Sequence, residues 1–395
     1  MTRVVITHAR VRSALVATQS LGKHGIKVTT ADSIYPSTSF FSMYSSSHFI
    51  YPSFKLHPLL FINSLKAYMQ KKDVGMLMPI SEEVFLISKY KNTFPAHVNI
   101  PICDYETIKK ANNNSCLIPF ADELGVKVPQ THIITDIGDL DKVSGMVDFP
   151  AVLKLTEGVG SAGLRYVYTE EELISEYKRT VQKFNLDSCE YPLIQEYIPG
   201  DGYGVAMLFN EGDPRAMCTY KNIRVFPITG GPSTARISIR HSKMERYATT
   251  LLEELNYHGV AEVEFILDNR TNEPVLMEIN PRFWGSLNQA ICAGVDFPYL
   301  LYIMATEGDV KPVFTYKTGV KTRWMLGDCR ALVEYVRTDK RREVIKDFCK
   351  LYGRNLYYDD LSISDPLPTL VEFIIPLINF IKTGELRFSP EVGGR

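Results

Sequence analysis

The chain has 395 residues, 45% of them hydrophobic and 23% charged, with a formal net charge of −1. That length and composition suit two or three packed globular modules, and the near-neutral charge excludes a global pull toward nucleic acid or an anionic membrane. Seven cysteines (Cys103, Cys116, Cys189, Cys218, Cys292, Cys329 and Cys349), odd in number and without a C-x-x-C pair, argue against a disulfide framework or a zinc site and favour a reducing cytoplasm.

The N-terminus has an apolar start but no long h-region and no cleavage site, so no signal peptide is expected. Val4–Thr7 reads as a β-branched strand, followed by a helical pattern through Leu21, a turn at Gly25 and a second strand over Ile26–Asp32. A β-α-β unit implies a parallel sheet. Met76–Ile80 is a later strand, with Ser81-Glu82-Glu83 as a helix cap. Residues 1 to about 100 thus form one small α/β module. The first turn, Thr7-His8-Ala9-Arg10-Val11-Arg12, lacks G-x-G-x-x-G, which disfavours dinucleotide binding despite Asp32 at the end of the second strand.

Residues 104–125 read as helix, broken near Asn112-Asn113-Asn114 and at Pro119, with Lys127–Thr131 as an extended exit. Phe149–Leu155 is an apolar strand carrying one lysine, Lys154, which needs a partner anion if it is buried. The following Thr156-Glu157-Gly158-Val159-Gly160-Ser161-Ala162-Gly163 is a glycine-rich loop whose backbone N–H groups can close over phosphates. It is not a Walker A loop, because the lysine precedes the glycines. With Leu164–Tyr168 as the return strand, the unit reads as a β-hairpin lid over a nucleotide.

From about 149 to 285 the chain is strand-rich and punctuated by glycine, as an α+β module. Val260–Leu267 and Val275–Arg282 flank a polar turn and read as a hairpin. Alternation puts Glu262 and Glu264 on one face and Val263 and Phe265 on the other; Glu278 and Asn280 likewise share a face. A turn symmetric about Thr271 sets Glu264 opposite Glu278 and Glu262 opposite Asn280. Carboxylates opposed at roughly 5 Å repel unless one is protonated or a cation lies between them, and this all-oxygen set suits Mg²⁺. The plain alternative is the solvated face of an amphipathic hairpin. Arg282, after Pro281 at the strand exit, is placed to grip a phosphate or carboxylate bidentately.

Residues 286–305 look helical, and the tail beyond 330 has mixed helical character. Its stretch 370–381, LVEFIIPLINFI, is too short to span a bilayer and is interrupted by Glu372 and Pro376. It reads as a core or docking helix, with attachment to a membrane-bound partner as the alternative.

Three blocks, FPAVLKLTEGVGSAG, PLIQEYIPGDGYGV, and GVAEVEFILD followed by VLMEINPRFWGS, in this order resemble the ATP-grasp superfamily, especially its carboxylate–amine ligases. The resemblance covers nearly all of 1–330. It implies an α/β and α+β architecture: a Rossmann-like pre-ATP-grasp domain (1–103), a small subdomain with the lysine strand and lid (104–200), a second subdomain with the Mg²⁺ hairpin (201–330), and a C-terminal extension (331–395).

The resemblance also implies roles. Lys154 would contact the ATP phosphates, and the loop from Glu157 through Gly158, Gly160, Ser161 and Gly163 would cover them. Gln195, Glu196, Tyr197 and Ile198 would form the hinge holding adenine, with the backbone of Glu196 and Ile198 reading its edge, and Asp201 would lie near the ribose. Glu264, Glu278 and Asn280 would hold Mg²⁺ (or Mn²⁺), and Arg282 the carboxylate substrate or transferred phosphate. Lys221, Arg224 and Arg236 are further phosphate or substrate candidates, their alternative being exposed solvated charges; Trp284 reads as simple packing. One departure stands out: the family's earlier lysine, in a D-K pair, is replaced here by Asn113 or Asn114, with Lys109 and Lys110 a turn upstream as substitutes.

The implied activity is ATP-dependent joining of a carboxylate to an amine through an acyl phosphate, with small-molecule substrates, no transmembrane segment and a homodimer as the family expectation. The alternatives are a non-catalytic nucleotide-binding or scaffold protein of the same fold, and a carboxylase or carbamoyl-phosphate-synthase-like subunit. No Met-Lys-Met biotinylation motif occurs in the chain.

Overall fold

The computed structural model describes residues 3–157 and 163–383, and among these the strands fall into three sheets. The first contains β1 (Arg3–Ile6), β2 (Val28–Asp32), β3 (Ser45–Ile50) and β4 (Val74–Met78). It is parallel, in the order β3-β2-β1-β4. Val4, Val5 and Ile6 are buried on both faces because helices cover both. The helix Arg12–Lys23 follows β1, and Gly25, with φ of 76°, makes the turn into β2. The chain leaves β1 toward β2 and β3, then returns to its other side as β4. The strand order therefore reverses between β1 and β4. β3 and the helix Pro58–Lys71 fill an interval to which the sequence pattern above assigns nothing.

Two helices, Tyr105–Asn112 and Asn114–Glu123, lead out of this module. The break expected near Asn113 is a cap: its side chain accepts from the Ser115 N–H. The break expected at Pro119 does not occur. Pro119 sits just past the first turn of the second helix, where a missing N–H removes a single intrahelical bond.

The second sheet holds β5 (Thr131–His132), β6 (Ala151–Lys154), β7 (Arg165–Val167) and β8 (Leu193–Glu196), antiparallel in the order β5-β8-β6-β7. The helix Glu170–Phe184 packs Leu173 and Tyr177 against Ala151, Leu153, Val167 and Ile194. Thr169 caps it, and three glutamates complement the positive end of its dipole.

The third sheet contains β9 (Gly200–Asn210), β10 (Asp213–Val225), β11 (Ser233–Ile239), β12 (Gly259–Asp268), β13 (Pro274–Asn280), β14 (Lys321–Arg323) and β15 (Leu356–Tyr358), in the order β13-β12-β9-β10-β11-β14-β15. Alternation gives it two buried faces. Val205, Met207, Val263 and Ile279 pack on the helix Ser242–Glu254. Ala206, Leu208 and Tyr220 face Phe283 and Trp284, which join Ile6, Val11 and Ile80 of the first module in one core. The N-terminal module is thereby docked against the large sheet. The region 286–305, expected to be helical, holds two helices, Leu287–Ala293 and Phe297–Glu307, separated at Gly294, whose φ is 107°.

Residues beyond 330 close the far edge of the large sheet. β15 pairs parallel with β14, the helix Met325–Tyr335 packs on β10, β11 and the helix Arg341–Phe348, and the helix Pro366–Thr383 packs on Thr38–Phe41 of the N-terminal module. The apolar stretch at 370–381 lies in the last of these, where Leu370, Phe373 and Ile374 are exposed rather than buried in a core. No helix among the described residues is long and apolar enough to cross a membrane.

Candidate functional site

The β12–β13 ladder pairs Glu262 with Asn280, Val263 with Ile279 and Glu264 with Glu278, the register that a turn centred on Thr271 requires. Past Glu264 the register slips by one, so that Phe265 faces Leu276. The bulge confines the symmetric pairing to the polar end of the hairpin. Val263 and Ile279 anchor one face in the core, which forces the carboxylates onto the other.

On that face Asn280 Nδ2 donates to Glu264 Oε1 (2.8 Å) and Glu262 Oε2 (3.2 Å), while Asn280 Oδ1 accepts from the Arg282 guanidinium (2.9 Å). Lys154 reaches across from β6: its Nζ pairs with Glu278 Oε2 at 2.8 Å and donates to the Met277 carbonyl at 2.9 Å. Burial pushes Glu264 well above the usual carboxylate range, and the charges of Glu278 and Glu262 push it further. Burial likewise raises Glu262, to about 7. Glu278 goes the other way. Burial opposes its ionisation, but Lys154 and Arg282 outweigh that and hold it below the usual range.

Opposed carboxylates are relieved either by protonation or by a cation between them. The donors are all hard oxygens, the chemistry that Mg²⁺ requires. Among the described residues no group of three or more His, Cys, Asp and Glu encloses a metal ion by itself. Glu264, Glu278 and Asn280 fit a cation completed by phosphate oxygens and water, with the Asn280 amide turned to present its oxygen.

Two members of the acidic cluster's surroundings are not among the residues expected above. Tyr220 donates its hydroxyl to Glu262 and accepts from Ser286 Oγ at 2.8 Å. The legible signal was Gly204, Tyr220's cross-strand partner, where a Cβ would lie 2.4 Å from the ring.

At the nucleotide end, Gln195 is buried in β8 and donates to Thr131 Oγ1 at 3.1 Å. The Glu196 N–H is engaged by the Gln130 carbonyl (2.8 Å) and its carboxylate by Arg270 (2.7 Å), so its N–H does not face outward to read an adenine edge. Tyr197 packs edge-on against Tyr166 of β7, and Ile198 is buried. Asp201 pairs with Lys221 at 2.7 Å. Glu157 accepts from Asn113 Nδ2 at 2.8 Å and the Asn114 N–H donates to the Thr156 carbonyl at 2.9 Å, so both asparagines at the place where a lysine is expected bond the segment just before Gly158. Gly163, at φ 79°, closes against Leu155, which a Cβ would strike at 2.6 Å. Gly158, Gly160 and Ser161 lie outside the described residues.

Arg224 and Arg236 are buried and ion-paired rather than solvated charges. Arg224 binds Asp328 bidentately (2.6 and 2.7 Å) and also Asp347, and Arg323 shares Asp328. Arg236 binds Asp359, with Arg12 3.7 Å from the same carboxylate. Burial and the neighbouring Arg12 lower Arg236 to about 9. Both arginines thus pair with aspartates beyond residue 327, at positions 328, 347 and 359, which are too distant in sequence to be read as partners. Trp284 is buried edge-on against Phe297, as packing requires.

The family model described as "ATP-grasp domain" matches residues 112–286. A urea amidolyase of Lachancea kluyveri is 26% identical over 192 residues, which are 45% of this chain and 10% of that protein. The chain thus spans about a tenth of that relative. Among solved structures, a biotin carboxylase complex with β,γ-ATP from Campylobacter jejuni superposes with a TM-score of 0.66 at 16% identity, covering 80% of this chain and 74% of that one. An L-amino acid ligase from Bacillus licheniformis gives 0.61 at 15% identity, covering 79% and 78%. At these identities the likeness is one of fold.

Proposed function

We propose that this chain, which carries an ATP-grasp domain over residues 112–286, is a ligase that joins a carboxylate to an amine through an acyl phosphate at the expense of ATP. The observation that carries the reading is Lys154 of one sheet bound to Glu278 of another, beside Glu264, Asn280 and Arg282. We assign residues 1–103 as the pre-ATP-grasp domain, 104–200 and 201–330 as the two halves that enclose ATP, and 331–395 as an extension bracing the second half.

Mg²⁺ held by Glu264, Glu278 and Asn280 would offset the charge of the phosphates. Lys154 exchanges its carboxylate partner for a phosphate oxygen when ATP enters. Arg282, two residues past Asn280, orients the substrate carboxylate for in-line attack on the γ-phosphorus. The P–O bond to ADP breaks as the acyl–O–P bond forms. The amine then attacks the acyl carbon, the C–N bond forms, and phosphate leaves. The second and third sheets exclude water from the acyl phosphate.

A second reading, a nucleotide-binding scaffold without turnover, is favoured by Asn113 and Asn114, which stand where a lysine is expected and bond Glu157 and Thr156 instead. The test is ADP release from Mg·ATP with each of the twenty proteinogenic amino acids, alone and in pairs, with mass spectrometry of the product. The relative named as an L-amino acid ligase makes amino acids the first choice. Stimulated ADP release with an amide product supports ligation. Nucleotide binding without release under any of these conditions supports the scaffold, and release with bicarbonate alone supports a carboxylase.

A further inference from the structure

The proposed site holds its two cations on groups that the metal also requires. Lys154 Nζ is bound by Glu278 Oε2 at 2.8 Å, and the Arg282 guanidinium by Asn280 Oδ1 at 2.9 Å. Glu278 and Asn280 are two of the three residues assigned to Mg²⁺ above. At Lys154 the conflict is mild, because a carboxylate has a second oxygen to offer. At Asn280 it is sharp.

An amide has one donor edge and one acceptor edge. Arg282 can only donate, so it fixes Oδ1 on its own side. Nδ2 lies on the other, where it donates to Glu264 Oε1 (2.8 Å) and Glu262 Oε2 (3.2 Å). The amide thus points its nitrogen, which cannot ligate a cation, at the carboxylate that would share the cation with it. Asn280 reaches a cation beside Glu264 only by exchanging its two edges. For asparagine that is a half-turn about χ2, a torsion with two broad wells. The half-turn brings Nδ2 to the place of Oδ1. A donor then faces the guanidinium, and the bond to Arg282 is lost.

The surroundings keep this exchange local. The Arg282 N–H donates to the Asn280 carbonyl at 2.9 Å across Pro281, which closes the backbone between the two residues into a turn. Glu262 is held from behind: Tyr220 donates to its Oε1, and Ser286 Oγ donates to Tyr220 at 2.8 Å. Arg282 Nη1 donates to the Phe283 carbonyl at 2.8 Å, a bond that the amide does not share, so the nitrogen released is Nη2. Electrostatics act in the same direction. The Arg282 charge helps Lys154 to keep Glu278 ionised, and a cation among the same carboxylates repels it.

We infer that the Asn280 amide is a two-position switch: in one position its oxygen restrains Arg282, and in the other that oxygen faces a divalent cation and leaves Arg282 free to take the substrate carboxylate or the transferred phosphate. The inference rests on the metal site and the role of Arg282 proposed above. It gives the site an order, cation first and anion second. Asn280 is then a positioning residue for Arg282 as well as a ligand. The linkage is reciprocal, since an anion on Arg282 leaves Oδ1 to the cation.

The test reads Arg282 directly, without substrate or turnover. The full chain is titrated with MnCl₂, with free Mn²⁺ counted by electron paramagnetic resonance, and pulse-labelled with phenylglyoxal, which modifies accessible guanidinium groups. Peptide mass spectrometry reports Arg282 relative to Arg179, whose side chain is 72% exposed. The released form is the minor one without metal, at most about 10%, so saturation should raise Arg282 labelling at least about tenfold, with the same midpoint as Mn²⁺ occupancy. Asn280→Ala has no oxygen to offer and should label at the high level with or without Mn²⁺. Glu264→Gln keeps Asn280 but weakens the metal site. It should stay at the low level at a Mn²⁺ concentration that saturates the wild type, and it carries the test if Asn280→Ala does not fold cooperatively. Mn²⁺ that binds without changing Arg282 labelling overturns the switch, as does a folded Asn280→Ala labelled no faster than wild type, or a full Mn²⁺-dependent rise in Glu264→Gln. A chain that binds no Mn²⁺ overturns the metal assignment itself, and the switch with it.

Discussion

Glu264 lies directly across the β12–β13 ladder from Glu278, and Lys154, from a different sheet, pairs with only one of the two. The consequence is an unequal pair: Glu278 stays ionised, while burial and its neighbour's charge push Glu264 toward protonation. A cation between them removes the conflict. Mg²⁺ is therefore expected to raise the thermal midpoint, by the equivalent of about 2.7 kcal/mol at a hundredfold excess over its dissociation constant. Glu264→Gln should stabilise the metal-free chain and abolish the Mg²⁺-dependent shift, as differential scanning calorimetry would report.

Lys154 has two partners on β13, the Glu278 carboxylate and the Met277 carbonyl. Lys154→Met should lower Mg·ATP turnover by about 10²–10³-fold, the cost of removing one preorganised charge donor. Steady-state ADP release measures this. A fall of less than about threefold would remove Lys154 from the phosphate site.

Asp328 is fully buried and carries both Arg224 and Arg323. Removing one partner of such a cluster leaves buried cations uncompensated, so Asp328→Asn should destabilise by about 3–5 kcal/mol. Lys221 and Asp201 form a pair of similar length but half-exposed, and Lys221→Ala should cost less than about 1 kcal/mol. Urea titrations followed by tryptophan fluorescence, with the Trp324 carbonyl accepting from the Asp328 N–H at 2.7 Å, separate the two.

Glu83 has a folded pKa of about 2 against an ordinary 4.5. Its depressed value contributes stability that is fully present above pH 4.5 and is lost as the pH falls toward 2. A shift of that size corresponds to about 3 kcal/mol. His8, raised from 6.5 by Glu83 against the opposing effect of burial, contributes in the opposite sense: present below 6.5, lost as the pH rises through its folded value. The stability difference between wild type and Glu83→Gln should accordingly grow from pH 2 to 4.5, hold steady, and shrink above 6.5. A difference that does not vary with pH would contradict the ion pair.

The hairpin was legible in the sequence because two constraints agree there. Period-two alternation fixes which residues share a face, and the turn fixes which face each other. The bulge after Glu264 was not legible, since it depends on how Leu276 meets Lys127 of another segment. Arg224 and Arg236 show the larger limit. A strand-borne arginine reads as a candidate anion contact, and nothing local says that Asp328 or Asp359, about a hundred residues on, fills that role. β15 is three residues long, too short for any periodicity, yet it places Asp359. The helix Pro58–Lys71 carried a readable signal, with proline in its first turn and Phe61, Leu65 and Met69 at four-residue spacing on the buried side. The left-handed backbone of His8, with φ of 56°, is likewise something that composition and spacing do not reveal.

The most direct measurement is calorimetric titration of a non-hydrolysable ATP analogue into the wild-type chain and Glu278→Gln, each with and without Mg²⁺. A nucleotide gripped between Lys154 and an oxygen-ligated cation should bind the wild type at least tenfold more tightly with Mg²⁺, and the variant should lose that gain. Affinity that is the same with and without the metal, or the same in the variant, would contradict the site.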